Sequence, residues 1–292
     1  MRSHTFSCFV ASFALLSSYP STAFANSDRS IAVHGHRGAR AQRPENTLPA
    51  FRYAIAAGAD ALEMDMAVTK DDVIVISHDP MLESPVCSSP DEQGKALIRG
   101  LTFAEVEKWD CGAVPNPKFP TQTPVPHTPM PTLAQVLDLA AQGSFLYNIE
   151  TKSFPEHPDY TPAPAQFVAM FYREVQKRNL QQRVILQSFD WRTLREMKKL
   201  DRRIPRSALT DSDRRSFVAI AQEAEATIVS PYFTLVTPAK VQEAHQAGLQ
   251  VVAWTANKPS EWDPLIAAQV DAIISDDPAA LLAYLRAKGL HQ

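Results

Sequence analysis

The sequence has no run of lysine and arginine: 29 basic residues stand against 32 acidic ones, a formal net charge of −3. A nucleic-acid-binding surface is therefore not expected, because neutralising a phosphate backbone takes clustered cations. Nor is there an apolar stretch of the roughly 20 residues that a bilayer span requires. The one near the start, residues 6–16, is too short, so stable membrane insertion is not expected either. Internal repeats and low-complexity tracts are absent. Cysteine is scarce, with three in 292 residues. What the chain does have is 45% hydrophobic and 21% charged residues, which excludes a disordered polymer and supplies a large core.

The short apolar stretch has neighbours that give it a meaning. Arg2 and His4 precede it, and Pro20 and then Ala23-Phe24-Ala25 follow it. A positive start, a short apolar region and a small-x-small ending predict an export leader over residues 1–25 and a periplasmic or secreted mature chain of residues 26–292. Cys8 leaves with such a leader. Cys87 and Cys111 remain, and in an oxidising compartment two cysteines suggest one disulfide. Spacing alone leaves two free thiols as the alternative.

Short β-rich runs alternate with capped amphipathic stretches, the pattern of a parallel sheet with crossover helices. Eight strands are predicted at 31–36, 61–66, 145–150, 184–188, 206–210, 227–230, 250–255 and 272–275. Between them, Asn46 can cap a helix that stops at Gly58, Thr237-Pro238 can start one that stops at Gly248, and Asp277-Pro278 can start the last. The expected fold is α/β, a single-domain (β/α)8 TIM barrel, for which about 250 residues is usual. Nine glycines, with none between Gly143 and Gly248, argue against a barrel that builds a glycine-rich phosphate loop after its late strands.

One β-rich run, 73–78, follows its predecessor too closely for a parallel crossover and should form an antiparallel hairpin above the barrel. From there to about Pro131 the chain has one capping box, Thr102 with Glu105, and a Pro-rich stretch from Pro115. Residues 67–131 thus read as an insertion after the second strand, with little core of its own. Loops of that length are usually functional walls or lids.

Glu63 and Asp65 lie two apart on one strand and share a face, and Glu150 ends the next barrel strand with Lys152 two residues on. Strand ends converge at the C-terminal mouth of a barrel, where its chemistry is done. Three carboxylates there call for a hard divalent cation, Ca2+ or Mg2+. His36 and His78 each end a β run and are placed to give and take protons near neutral pH. Arg37, beside His36, is suited to holding a phosphate by paired hydrogen bonds. His34 shares the strand face of His36 one layer deeper and is read as packing.

His36-Arg37-Gly38, Pro44-Glu45-Asn46-Thr47, Glu63-Met64-Asp65 and His78-Asp79 follow one another in an order and spacing that resembles the glycerophosphodiester phosphodiesterase family. Asn148-Ile149-Glu150-Thr151-Lys152, Ser188-Phe189, Trp254-Thr255 and the run ending at Asp276 continue it. Each motif alone is weak, and the ordered set covers nearly the whole mature chain. The resemblance implies metal ligands at Glu63, Asp65 and Glu150, acid–base histidines at His36 and His78, and phosphate contacts from Arg37 and Lys152. It also implies that Glu45 lies close to the metal. Trp254 is a candidate substrate contact, with core packing as its competing role. The implied reaction is metal-dependent hydrolysis of a small glycerophosphodiester to glycerol 3-phosphate and an alcohol. The paired cysteines and the Pro-rich stretch depart from the family pattern, so the leaving alcohol is left open. A lysophospholipase D or phospholipase C-like lipid enzyme, and a non-catalytic metal- or polyol-binding barrel, are the alternatives.

Overall fold

The computed structural model describes residues 1, 30–90 and 94–292. The expected leader, apart from Met1, lies outside the described residues. Strand β1 (Ala32–Gly35), helix α1 (Leu48–Ala57) and strand β2 (Ala61–Val68) open the fold. Strand β3 (Ile74–Ile76) turns back on the end of β2, and β4 (Met81–Glu83), β5 (Lys95–Leu97) and α2 (Phe103–Val106) follow. Helix α3 (Leu133–Leu137) returns the chain to the barrel at β6 (Leu146–Thr151). Strict alternation then takes over, through α4 (Pro164–Lys177), β7 (Val184–Ser188), α5 (Trp191–Leu200), β8 (Arg206–Thr210), α6 (Phe217–Ala224) and β9 (Ile228–Pro231). It ends with α7 (Pro238–Gln246), β10 (Gln250–Ala253), α8 (Pro259–Ala267), β11 (Ala272–Ser275) and α9 (Pro278–Ala287).

The barrel closes because β1 has a parallel partner on both sides: Gly35 lies beside Leu62 of β2 and beside Ser275 of β11. The β order β1-β2-β6-β7-β8-β9-β10-β11 is sequential, as uninterrupted right-handed βα units require. Side-chain alternation sorts each strand. Val33, Leu62, Met64, Met66, Tyr147 and Ile149 face the helices in the main core. Ala32, Ile185, Ile228, Val252, Ala272 and Ile274 fill the barrel floor. Above that floor the interior turns polar, with His34, Asn148, Gln187, Ser207 and Ser230 all buried. Their hydrogen bonds, such as Ser207 Oγ to Ser230 Oγ at 2.7 Å, offset the loss of water. A strand that must bury both faces yet carries Glu or Gln at one end is therefore displaying it at the mouth.

Helix punctuation is largely as expected, with one correction. Thr237 and Asp277 cap α7 and α9 by accepting from Lys240 and Ala280 backbone N–H groups, and Gly58 closes α1 in the left-handed region at φ 92°. The cap of α1, however, is Thr47, not Asn46. Asn46 adopts φ 57°, a conformation Asn tolerates better than most residues, and its amide is spent on Asp65. The antiparallel hairpin is present as expected: β3 pairs with the end of β2 and joins the barrel sheet there.

The insertion has more core than the sequence suggested. Leu82, Ile98, Val106, Trp109 and Met130 bury together with Cys87 and Cys111 against Ala67 and Val75. These residues are scattered over short elements and loops, so no period of 2 or 3.6 announces them. Its Pro-rich part is fastened to the β1–α1 loop: Thr121 and Gln122 side chains donate to the carbonyls of Ala41 and Arg40, and the Arg40 guanidinium lies over the Phe119 ring at 4.8 Å. Cys87 and Cys111 are bonded, S–S 2.07 Å, across a sequence separation of 24. On the chain-entropy model a loop of that size is worth roughly 3 kcal/mol. Thiol titration of the denatured, unreduced chain lacking residues 1–25 is expected to find no free thiol. Reduction should open the insertion to protease while the barrel melts at nearly its original temperature. Two titratable thiols without reductant would reject the bridge.

Candidate active site

Strand register assembles the acidic centre. Asp65 of β2 lies beside Glu150 of β6, with Glu63 one inward-facing position deeper, and Glu150 lies beside Gln187 of β7. Carboxylate oxygens of Glu63, Asp65 and Glu150 come within 4.8 Å of one another, and all three residues are buried. Glu63 accepts from the Gln187 amide at 2.7 Å and from the Arg37 backbone N–H at 2.8 Å. Asp65 accepts from Asn46 at 2.9 Å, and Glu150 pairs with Lys152 at 3.0 Å. Burial, reinforced by the Asp65 charge, pushes the Glu63 carboxyl well above its ordinary range. Burial also raises Glu150, with Lys152 in opposition. Asp65 is likewise buried, yet the positive charges of His78, Arg37 and Lys152 hold it far below the usual carboxylate range. Ionised together, three such groups repel one another, a cost that a cation between them would relieve, and an all-oxygen donor set suits a hard divalent ion.

The turn after β1 aims the groups opposite. Arg37 and Gly38 take consecutive left-handed conformations, φ 49° and 84°. A Cβ on Gly38 would lie 2.7 Å from the Ala50 backbone, so α1 packs here only against glycine. This turn sends the Arg37 N–H to Glu63 and its guanidinium to Glu45, whose carboxylate accepts at 2.6 Å. Glu45 thus holds Arg37 and stands outside the three-carboxylate group. Arg37 Nε is buried, 3.5 Å from Asp65, and has no hydrogen-bond partner among the described residues, a donor suited to an incoming anion.

Each histidine has a carboxylate at Nδ1: Asp276 at 2.6 Å from His36, and Asp79 at 2.8 Å from His78. With Nδ1 so engaged, Nε2 of His36 is turned to the acidic centre, 3.9 Å from Glu63. Burial, then the Arg40 charge, pushes His36 down to about 4 despite Asp276, so its imidazole is neutral at neutral pH. His34 stays a core residue as expected, buried beneath the site with Asn148 3.3 Å from its Nδ1.

A cavity of about 320 Å³ joins these parts, lined by His36, Arg37, Glu63, Asp65, His78 and Glu150, with Phe189, Tyr232 and Trp254 on its far wall. Trp254 lines this cavity and is packed in place: its indole donates to Ser230 O at 2.8 Å, and its ring meets Phe189 and Tyr232 edge-on. Lys152 reaches Glu150 at the rim, with its ammonium 5.9 Å from the Phe189 ring centroid. Sequence reasoning assigned no role to four residues here, although Asp276 stood in the last of the motifs. Asp276 orients His36, and Arg40 and Asn257 in turn bind Asp276 through hydrogen bonds of 2.6 and 2.8 Å. Gln187 positions Glu63. Asp276 follows the closing strand, so the strand-end rule that found Glu150 could have found it. Arg40, Gln187 and Asn257 carried no such signal.

Residues 36–280 match the model of the glycerophosphoryl diester phosphodiesterase family. A glycerophosphodiester phosphodiesterase of Caldanaerobacter subterraneus subsp. tengcongensis is 29% identical over 258 residues, 88% of this chain and 98% of that one. A solved structure from Silicibacter pomeroyi DSS-3, described under the same family name, is 30% identical with a TM-score of 0.85, covering 91% of this chain and 96% of that one. An Oleispira antarctica phosphodiesterase solved with its product sn-glycerol-3-phosphate shares the fold, at 22% identity and TM-score 0.75 over 88% of this chain and 97% of that one. The matched residues include the three carboxylates, both histidines and Arg37, which line one mouth-side cavity, and the match spans most of the chain: the chain belongs to the glycerophosphoryl diester phosphodiesterase family.

Proposed function

We propose that the protein hydrolyses glycerophosphodiesters to glycerol 3-phosphate and an alcohol, with a divalent cation, Ca2+ or Mg2+, held by Glu63, Asp65 and Glu150. The observation that carries this is the single cavity holding three buried carboxylates, two carboxylate-oriented histidines and a buried arginine N–H with no hydrogen-bond partner among the described residues. When bound, the cation supplies positive charge to the phosphoryl oxygens as a Lewis acid. Arg37 binds a non-bridging oxygen and opposes the charge that develops there. His36, neutral and with Nε2 directed inward, accepts the proton of the attacking hydroxyl, whether from water or from the glycerol arm. His78, on the insertion side, gives a proton to the departing alkoxide. The product bound in the Oleispira relative and the name of the Caldanaerobacter one support the same substrate class. A purely binding role would need neither carboxylate–histidine pair.

The test is a release assay on glycerophosphocholine in the presence of Ca2+ or Mg2+. Glycerol 3-phosphate should appear with choline, in equal amounts. Phosphocholine and glycerol as products would assign scission to the other ester bond, and no product from any glycerophosphodiester would remove the hydrolytic reading. The composition of the first 25 residues further supports export. N-terminal sequencing of the secreted or periplasmic protein should read from Asn26; a start at Met1 in the cytoplasmic fraction would contradict it.

A further inference from the structure

A second cavity, of about 240 Å³, lies beside the first and beneath the insertion. The two share only three lining residues: Arg37, Arg40 and His78. From this juxtaposition we infer that the second cavity is the pocket for the leaving alcohol, and that it admits a compact polar alcohol of head-group size. The inference rests on the hydrolytic reading above.

A phosphodiester has two arms diverging from one phosphorus. Arg37, the candidate phosphate anchor, stands where the cavities meet, so an anchored phosphate sends one arm into each. The cavity with the carboxylates and His36 has the aromatic wall, Phe189, Tyr232 and Trp254, against which the carbon face of a glycerol packs. The other has His78 at its junction and no carboxylate of the three-membered cluster. Bond changes then follow the partition. The attacking oxygen forms its bond to phosphorus on the His36 side and yields its proton to that imidazole. The ester bond to the second arm breaks, and its oxygen takes the electron pair and a proton from His78, leaving as a neutral alcohol into the second cavity.

Size sets the class of that alcohol. Pockets for drug-sized ligands measure roughly 300 to 1,000 Å³, so 240 Å³ is the size of a head group and too small to enclose an acyl chain or a diacylglycerol. The wall mixes apolar surface, from Met81, Val86 and the Cys87–Cys111 bridge, with the polar Ser84 and Asn116 and the charged Asp79, Glu83 and Lys118. The bridge joins two segments of that wall, which keeps the pocket from widening to suit a larger alcohol.

The experiment measures kcat/KM on glycerophosphodiesters of methanol, choline and inositol, which share the glycerophosphoryl half and differ only in the leaving alcohol. Val86→Trp narrows the pocket and Met81→Ala widens it; neither residue touches the acidic centre. Val86→Trp should lower the choline-to-methanol ratio by roughly 10-fold or more, the discrimination a pocket can exert through shape. Met81→Ala should raise the inositol-to-methanol ratio. Because ratios are read, a general loss of folded protein cancels. Ratios unchanged in both variants, with the unaltered protein active, overturn the pocket alone. No glycerol 3-phosphate from any of the three esters with the unaltered protein overturns the hydrolytic reading, and this one with it.

Discussion

Stripping divalent cations with a chelator should abolish phosphodiester hydrolysis, and adding Ca2+ or Mg2+ should restore it. Glu63, Asp65 and Glu150 are buried within 4.8 Å of one another, with Arg37 beside Asp65 and Lys152 beside Glu150 as permanent positive charges. Without a cation, burial lifts Glu63 and Glu150, which favours retained protons on the cluster. Protons and metal therefore compete for the same oxygens. As pH falls, carboxyls with raised pKa are protonated sooner, so the metal concentration needed for half-maximal activity should rise. The melting temperature should also rise with added metal, because a ligand that binds only the folded chain stabilises it. Asp65→Asn should weaken metal binding, and high metal should recover part of the lost rate. Full activity in a stripped, chelator-treated sample would sink the metal site.

The second large effect concerns the two histidines. His36→Ala and His78→Ala should each lower kcat by roughly 100-fold or more, as the loss of a general acid or base does, and circular dichroism should show the fold intact. A substrate with a very good leaving group needs no proton on departure. It should rescue His78→Ala in part and leave His36→Ala slow. Rescue of His36→Ala instead would exchange the two roles. Asp276→Asn tests the positioning of His36: the carboxylate that accepts from Nδ1 at 2.6 Å selects the tautomer with a free Nε2. That variant should lose kcat with little change in KM, and the acid limb of its pH–rate profile should move. Near-native rates in both alanine variants on a natural diester would make the acid–base assignment wrong.

Much of this molecule is determined by short-range pattern. Strand alternation puts Glu63 and Asp65 on one face, β runs ending at polar residues mark the mouth, and a parallel run cannot return in four residues, which set the 67–131 segment apart as an insertion. Thr102 with Glu105 and Asp277 with Pro278 mark helix starts for equally local reasons, and both hold. The rest depended on contacts between residues far apart in the chain. Thr47, not Asn46, caps α1: Asn46 is held in the left-handed region and its NH2 donates to Asp65, 19 residues on, while Thr47 has the extended backbone a cap needs. Asp276 reaches His36 across 240 residues because β11 closes the barrel against β1, a pairing no local window contains. The insertion's core of Leu82, Trp109, Met130 and the bridged cysteines has no period to read, since its residues meet from separate loops. The sequence by itself therefore determined the barrel and the acidic and histidine side chains at its mouth, since these follow from strand period and strand ends, and its ordered short motifs carried the resemblance to the family. Only the tertiary structure decided which groups orient them and where the second cavity lies, because hydrogen bonds and cavity walls are made between elements whose distance in space the chain order does not encode.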